Sequence, residues 1–181
     1  KRLQMVIDEN AKRIKHYNRL PYLVANVAEI LETESENEDE ADVAHCFKVA
    51  AATGVPVVFR GAGHTCHGQA LSDNGILIEN FVDRAEMTTL DEAHVEVTTR
   101  SSWRHVESAL NERGRAVPVL TDYQHLAVGG TLSVGGVGFH SITRGLQVDH
   151  VTRARLVLPD GTAVWCSPDA HGELFRFALA G

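Results

Sequence analysis

The sequence predicts an α+β fold, and three observations carry that reading. Segments with helical apolar spacing alternate with short β-branched runs, so strands and helices alternate and the class is α+β or α/β. A parallel βαβ arrangement is expected around Gly54, whereas Pro159-Asp-Gly161 has the turn chemistry of an antiparallel hairpin. With 44% apolar and 23% charged residues, the chain can bury a core. Its 181 residues allow one domain of ordinary size or two small ones.

The elements follow in order. Lys1 to Leu20 is charged, and Leu3, Val6, Ile7 and Ile14 roughly follow helical spacing, predicting an amphipathic lead-in helix that Pro21 ends. Tyr22 to Leu31 is apolar enough for an internal strand, and the acidic run Glu32 to Glu40 reads as a solvated loop feeding the next helix. Ala41 to Thr53 is predicted helical, with Val43, Phe47, Val49 and Ala50 available for one buried face and Gly54 closing it. Val55 to Phe59 then reads as a short buried strand, followed by a loop from Arg60 to Gln69. Further strands are expected at Gly75 to Glu79 and Val95 to Thr99. A helix over Trp103 to Arg113 starts at Ser101 or Ser102 and stops at Gly114. Strands at Val151 to Leu158 and Thr162 to Cys166 flank the hairpin turn, and Glu173 to Ala180 begins a last helix. A break near Asn80 to Asp91 divides the chain into two small subdomains, about 21–85 and 86–181.

Composition narrows the function. Lys plus Arg total 17 against 24 for Asp plus Glu, a formal charge of −7 that argues against a nucleic-acid surface. No apolar run approaches the roughly 18 residues of a membrane-spanning helix, and no basic-then-apolar export signal is present, so a cytoplasmic protein is expected. The three cysteines, Cys46, Cys66 and Cys166, form neither a CxxC pair nor a disulfide framework.

The most informative stretch is Phe59-Arg-Gly-Ala-Gly-His-Thr-Cys-His-Gly-Gln-Ala70. Glycines after a buried strand let the chain turn sharply and point successive N–H groups into one concavity, a nest suited to phosphate oxygens. The spacing fits neither a P-loop nor a Rossmann fingerprint, and by itself is also compatible with an ordinary tight turn. His64 and His67 stand at i, i+3, as in a metal pair, yet no third ligand follows at a useful spacing. The second constellation runs from Leu120-Thr-Asp-Tyr through Val137-Gly138, with five glycines within ten residues. Such a stretch is expected to build neither a good strand nor a good helix, and to let the backbone run close against a flat, bulky ligand. Asp122 precedes it among apolar neighbours; burial against a cofactor would raise its pKa toward that of a general base, and a turn or helix cap is the plainer alternative.

Phe59-Arg-Gly-Ala-Gly-His-Thr with Gly68-Gln-Ala70 resembles the pyrophosphate loop of FAD enzymes of the vanillyl-alcohol oxidase (p-cresol methylhydroxylase, PCMH) type, and within them the cytokinin dehydrogenases. Thr121-Asp-Tyr123 with Val128-Gly-Gly-Thr-Leu-Ser133 is similar to their second motif, and Val164-Trp-Cys-Ser167 with Glu173-Leu-Phe175 to a third segment. The resemblance covers about Pro21 to Gly181. It implies a PCMH-type FAD-binding domain made of two small α/β subdomains, with FAD as cofactor.

Residue by residue, the resemblance makes His64 the carrier of a covalent bond to the flavin 8α-methyl group. Backbone groups of Phe59, Gly61, Ala62 and Gly63 would hold the pyrophosphate, with Thr65 and Gln69 adding side-chain hydrogen bonds. Asp122, Ala127, Gly130, Thr131, Ser133 and Val137 would complete the FAD contacts. Asp122 would also act in catalysis, accepting the substrate amine proton while hydride passes to the flavin. Two departures stand out. Ala127 replaces a usual Thr, and Tyr123 occupies the position where berberine-bridge-type relatives place a second, cysteinyl flavin link, so a single covalent bond is expected. Cys66 and Cys166 are expected to be small buried residues, and His67, His125 and His140 loop or surface residues.

The implied activity is oxidation of a C–N bond in a small-molecule amine. Oxidation of an alcohol or sugar by the same fold competes with it. A non-catalytic partner subunit is a third possibility and a metal hydrolase built on His64 and His67 a fourth. The substrate domain that follows in the family is not in these residues, so a second chain or a missing C-terminal part is expected to supply it.

Overall fold

A computed structural model of the chain describes residues 38–179. The helix expected over 1–20, the strand expected over 22–31 and most of the acidic run lie outside the described residues. Helix α1 (Glu38–Thr53) begins at the end of the acidic run, where carboxylates suit a helix N-terminus. Gly54 ends it with φ +71°: its N–H and that of Val55 both donate to the Ala50 carbonyl, at 2.8 and 3.2 Å.

Strands β1 (Val57–Arg60) and β2 (Ile76–Glu79) pair in parallel, Val57 opposite Ile76 and Arg60 opposite Glu79. Parallel neighbours need a long crossover, usually a helix. Here residues 61–75 cross without one, so the glycine-rich loop springs from the C-terminal end of β1. That end is where open α/β sheets bind ligands.

Strands β3 (Met87–Thr89) and β4 (Val95–Val97) form an antiparallel hairpin. β3 was not expected; it lies in the stretch read as a break. Asp91 holds the turn, its Oδ1 accepting the N–H groups of Ala93 and His94 at 2.7 and 2.8 Å. Helix α2 (Trp103–Asn111) packs Trp103, Val106 and Leu110, one helical face, against Val128, Met87, Val95 and Val97. This is the main apolar core among the described residues.

The segment after α2 leads into α3 (Val128–Leu132), α4 (Ser141–Arg144) and a 3₁₀ turn (Gln147–His150). The expectation that this glycine-rich stretch forms no helix is corrected: Val128-Gly-Gly-Thr-Leu132 is a short helix, fastened by its buried residues Val128 and Thr131. Strands β5 (Ala154–Val157) and β6 (Ala163–Cys166) form the expected hairpin, with Gly161 at φ +85° and the Asp160 carboxylate accepting the Thr162 N–H at 2.8 Å. The hairpin reaches back to α1, where Arg155 pairs with Glu40 and Gly161 lies against Ala44. The chain thus returns from its second half to its first. Helix α5 (Gly172–Ala178) closes the described region with Phe175 buried. No helix among the described residues is long and apolar enough to cross a membrane.

Candidate functional site

The loop that leaves β1 is shaped by contacts at its two ends. Gly61 lies directly against Ala127: a Cβ on Gly61 would stand 2.8 Å from that of Ala127, which joins the first glycine motif to the second. At the far end, Ala70 and Ser72 are buried and anchor the return into β2. Between them Gly63 and Gly68 turn the chain with φ +75° and +79°. The Leu71 N–H donates to the Gly68 carbonyl at 3.0 Å, and the His67 N–H to Gln69 Oε1 at 3.1 Å. The Arg60 guanidinium folds over the loop, its nitrogens 3.0 Å from where a Gly63 Cβ would stand. A cavity of about 210 Å³ opens beside it, lined by Arg60, Gly63, Thr65, Cys66, Gly68 and Leu71 with Ala70.

Two glycines, the Arg60 cation and the exposed Thr65 hydroxyl line this hollow, a set suited to a diphosphate. Arg60 was not singled out from the sequence, although its place at the start of the motif was in view. Cys66 corrects the expectation of burial: it is exposed on the loop, its thiol facing the His64 carbonyl at 3.8 Å. Cys166 is buried as expected, and burial pushes its thiol up.

The second motif is held by α2. The Trp103 and Arg104 N–H groups, at the open N-terminus of that helix, donate to the carbonyls of Leu126 and Gln124 at 3.1 and 2.8 Å. Residues 121–127 are thereby strapped alongside the loop, and the rings of His64 and Tyr123 meet with centroids 4.7 Å apart. Asp122, next in sequence to Tyr123, is exposed rather than buried among apolar neighbours. Tyr123 in turn lies 5.5 Å from the His125 ring, whose Nε2 meets Arg104 Nη1 at 3.0 Å. His125 is therefore a packed, hydrogen-bonded residue rather than a free surface one. His67 and His140 are exposed as expected.

The remaining predicted contacts divide. Ala127 is buried at the start of α3, and Gly130 faces open space, where an added Cβ would meet nothing. Ser133 and Val137 are exposed, with the Ser133 hydroxyl donating back to the Gly129 carbonyl at 2.8 Å. Thr131 turns inward: its hydroxyl accepts the Trp103 indole N–H at 2.7 Å and donates to the Val128 carbonyl at 3.1 Å. Any contact of Thr131 with a cofactor would fall to its backbone.

The glycines of the second motif also mean something other than expected. Gly129 lies against Thr99, Gly136 against the Gln147 side chain, and Gly138 against the Leu120 carbonyl. They let the chain pack on itself as much as on a ligand. Gln147, buried and donating to the Val119 carbonyl at 3.2 Å, is a tie that periodicity gives no sign of. His64 and His67 gather no third ligand: among the described residues no three His, Cys, Asp or Glu groups come together as a metal site.

The family model for the FAD binding domain matches residues 36–167. An oxidoreductase from the fasciation locus of Rhodococcoides fascians is 36% identical over 142 residues, which cover 78% of this chain and 32% of that protein. Cytokinin dehydrogenase 1 of Oryza sativa subsp. japonica is 36% identical over 149 residues, covering 77% of this chain and 28% of its own length. Among solved structures, 6-hydroxy-D-nicotine oxidase from Arthrobacter nicotinovorans superposes with a TM-score of 0.71 at 25% identity, over 78% of this chain and 31% of that one. A glucooligosaccharide oxidase from Acremonium strictum, whose FAD carries 6-S-cysteinyl and 8α-N1-histidyl links, shares the fold with a TM-score of 0.69 at 24% identity, over 78% of this chain and 30% of that one. The chain spans about a third of the length of the relatives it matches.

Proposed function

This chain belongs to the FAD binding domain family, and on that premise we propose that it is the flavin-holding part of an oxidoreductase that oxidises a C–N bond in a small amine. One observation carries the reading: the two motifs of the resemblance, far apart in sequence, meet in space. The loop after β1 contacts the second motif through Gly61 and Ala127, and His64 stands against Tyr123, the neighbour of Asp122.

In this reading the backbone of Phe59, Gly61, Ala62 and Gly63 holds the diphosphate, with Arg60 neutralising part of its charge and Thr65 and Gln69 adding side-chain bonds. Gly130, Thr131, Ser133 and Val137 offer backbone and side-chain contacts to the ring system, and Ala127 seats the loop. His64 bears the cofactor covalently. When bound, FAD supplies a two-electron acceptor that no side chain here provides. Asp122 takes the proton from the substrate nitrogen; its exposed position, next in sequence to Tyr123, leaves it open to substrate. The similarity to a cytokinin dehydrogenase favours an amine over an alcohol. The substrate-facing remainder of the site belongs to sequence beyond this FAD-binding part, in the same chain or a second one.

The test is a visible spectrum of the intact protein before and after acid denaturation. Flavin absorbance that stays with the precipitated protein and is lost in His64→Ala supports the assignment. A colourless protein that refuses added FAD sinks the whole reading. Asp122→Asn is expected to lower turnover of amine substrates at least tenfold with flavin content unchanged, a loss of roughly 1.4 kcal/mol or more in transition-state stabilisation. Full turnover in that variant would remove Asp122 from the mechanism.

A further inference from the structure

We infer that Tyr123 is a positioning residue for His64: its ring, backed by His125 and Arg104, holds the imidazole in the orientation that attachment to the flavin requires. The inference rests on the reading of His64 as the flavin-bearing residue. Among the described residues no hydrogen bond or ion pair holds the His64 ring. Its ordered contact is with Tyr123, centroids 4.7 Å apart and planes tilted by 53°, within the range of attractive ring pairs.

Tyr123 is itself fixed from behind. The Thr121 hydroxyl donates to the Tyr123 carbonyl at 3.1 Å, and the His125 ring lies 5.5 Å away at a 41° tilt. Arg104 then sets the state of His125. A guanidinium only donates hydrogen bonds, so His125 Nε2, 3.0 Å from Arg104 Nη1, must accept, and the ring proton sits on Nδ1. That nitrogen faces Asp83 Oδ1 at 4.0 Å, the carboxylate that also lies 3.4 Å from His105 Nδ1. Arg104 lies in the first turn of α2, whose backbone already straps residues 124 and 126 in place. The column His64–Tyr123–His125 is thus rooted in a helix end, through the Arg104 side chain and the backbone bonds to residues 124 and 126.

Attachment joins an imidazole nitrogen to the flavin 8α carbon and breaks the ring N–H and one 8α C–H bond. The two protons and two electrons pass to the ring system and from there to dissolved dioxygen, giving hydrogen peroxide. For the bond to form, the nitrogen lone pair must point at one carbon, and an imidazole on an exposed loop spends most of its time pointing elsewhere. A ring that restricts it raises the fraction of time in the reactive pose without touching the reacting atoms.

The experiment follows acid-stable flavin against time after FAD is added to the intact apoprotein, alongside total bound flavin. Tyr123→Phe, which keeps the ring, is expected to attach flavin within about twofold of the parent rate, and Tyr123→Ala about tenfold or more slowly, with total flavin binding the same in all three. Should Tyr123→Ala lower the melting temperature, Tyr123→Leu keeps the bulk without the aromatic face and is expected to be equally slow. Attachment at the parent rate in both ring-less variants overturns the inference, as does a Phe variant as slow as Ala. A parent protein that releases all its flavin in acid removes the covalent role of His64, and the inference with it. That failure shows in the parent, whereas failure of the positioning role alone shows only in the variants.

Discussion

Gly61→Ala is the sharpest probe of the link between the two motifs. The new Cβ would stand 2.8 Å from the Ala127 Cβ, roughly 0.7 Å inside the near edge of ordinary carbon contact. Neither partner can yield by rotating a side chain, because each is a single methyl group. Ala127 is 4% exposed and its backbone is bridged to Ser102, so relief requires the β1 loop to lift off α3. Overpacking of this kind costs about 1–3 kcal/mol, and the smaller chain entropy of an unfolded Ala offsets about 0.4–1 of it. The net expectation is a loss of about 1–2 kcal/mol, with weaker FAD binding because the loop is displaced. Gly130→Ala is the stability control: it lies within α3, and beyond its own helix nothing stands within 4 Å of where a Cβ would be, so it is expected to be neutral or stabilising by up to about 1 kcal/mol. Denaturant melts and FAD titration of both variants decide the matter. If Gly61→Ala proves as stable as Gly130→Ala and binds FAD as tightly as the parent, the two motifs are not in the contact described.

Three further outcomes follow from the same geometry. Burial pushes the Glu86 carboxyl up, but hydrogen bonds from Arg100, Arg84 and Thr98 outweigh it and hold the group below its usual range. A lowered folded-state value gives stability that is complete above the unfolded carboxylate range and is lost as the pH falls through the folded value, so Glu86→Gln should cost about 1–2 kcal/mol at neutral pH and progressively less in acid. A gap between parent and variant that stays constant on acidification would refute the pairing. Thr131→Val keeps shape but leaves the Trp103 indole N–H, bound at 2.7 Å, without its acceptor; about 1–3 kcal/mol should be lost in thermal melts followed by tryptophan fluorescence, and an unchanged melt would contradict the bond. In the folded protein an aromatic disulfide reagent should modify Cys66 well before Cys46 and Cys166, whose thiols burial pushes up, with Asp42 adding to the effect at Cys46. Cys66→Ser should abolish the fast phase, and persistence of that phase would show that the loop is not exposed as described.

What was legible in the sequence was chemistry acting over a few residues. Gly54 ends α1 and Asp160-Gly161 turns the β5–β6 hairpin because a left-handed φ and an Asx bond are local needs. The face of α2 was legible for the same reason, since Trp103, Val106 and Leu110 repeat at helical spacing. β3 was not, because Met87-Thr-Thr89 has no pattern of its own and is a strand only through its pairing with Val95 to Val97. The glycines of the second motif show the limit most clearly. A glycine reports that something stands close to the backbone and is silent on what: Gly130 faces open space, while Gly129, Gly136 and Gly138 face Thr99, Gln147 and a carbonyl of this same chain.

The candidate site divides along the same line. The ordered motifs at residues 59–70 and 120–138 marked His64 and Asp122 as candidates, because a motif is read from neighbouring residue types alone. What holds those residues could not be read there: Arg60 bends back over its own loop, and Tyr123 reaches His64 only because α2 offers two unpaired N–H groups to residues 124 and 126. The helix end therefore does double duty, satisfying its orphan donors and bringing the second motif to the first. A change in α2, such as one that shifts Trp103 off Thr131, should consequently be felt at His64. The place to look for it is in the rate of flavin attachment before any loss of fold.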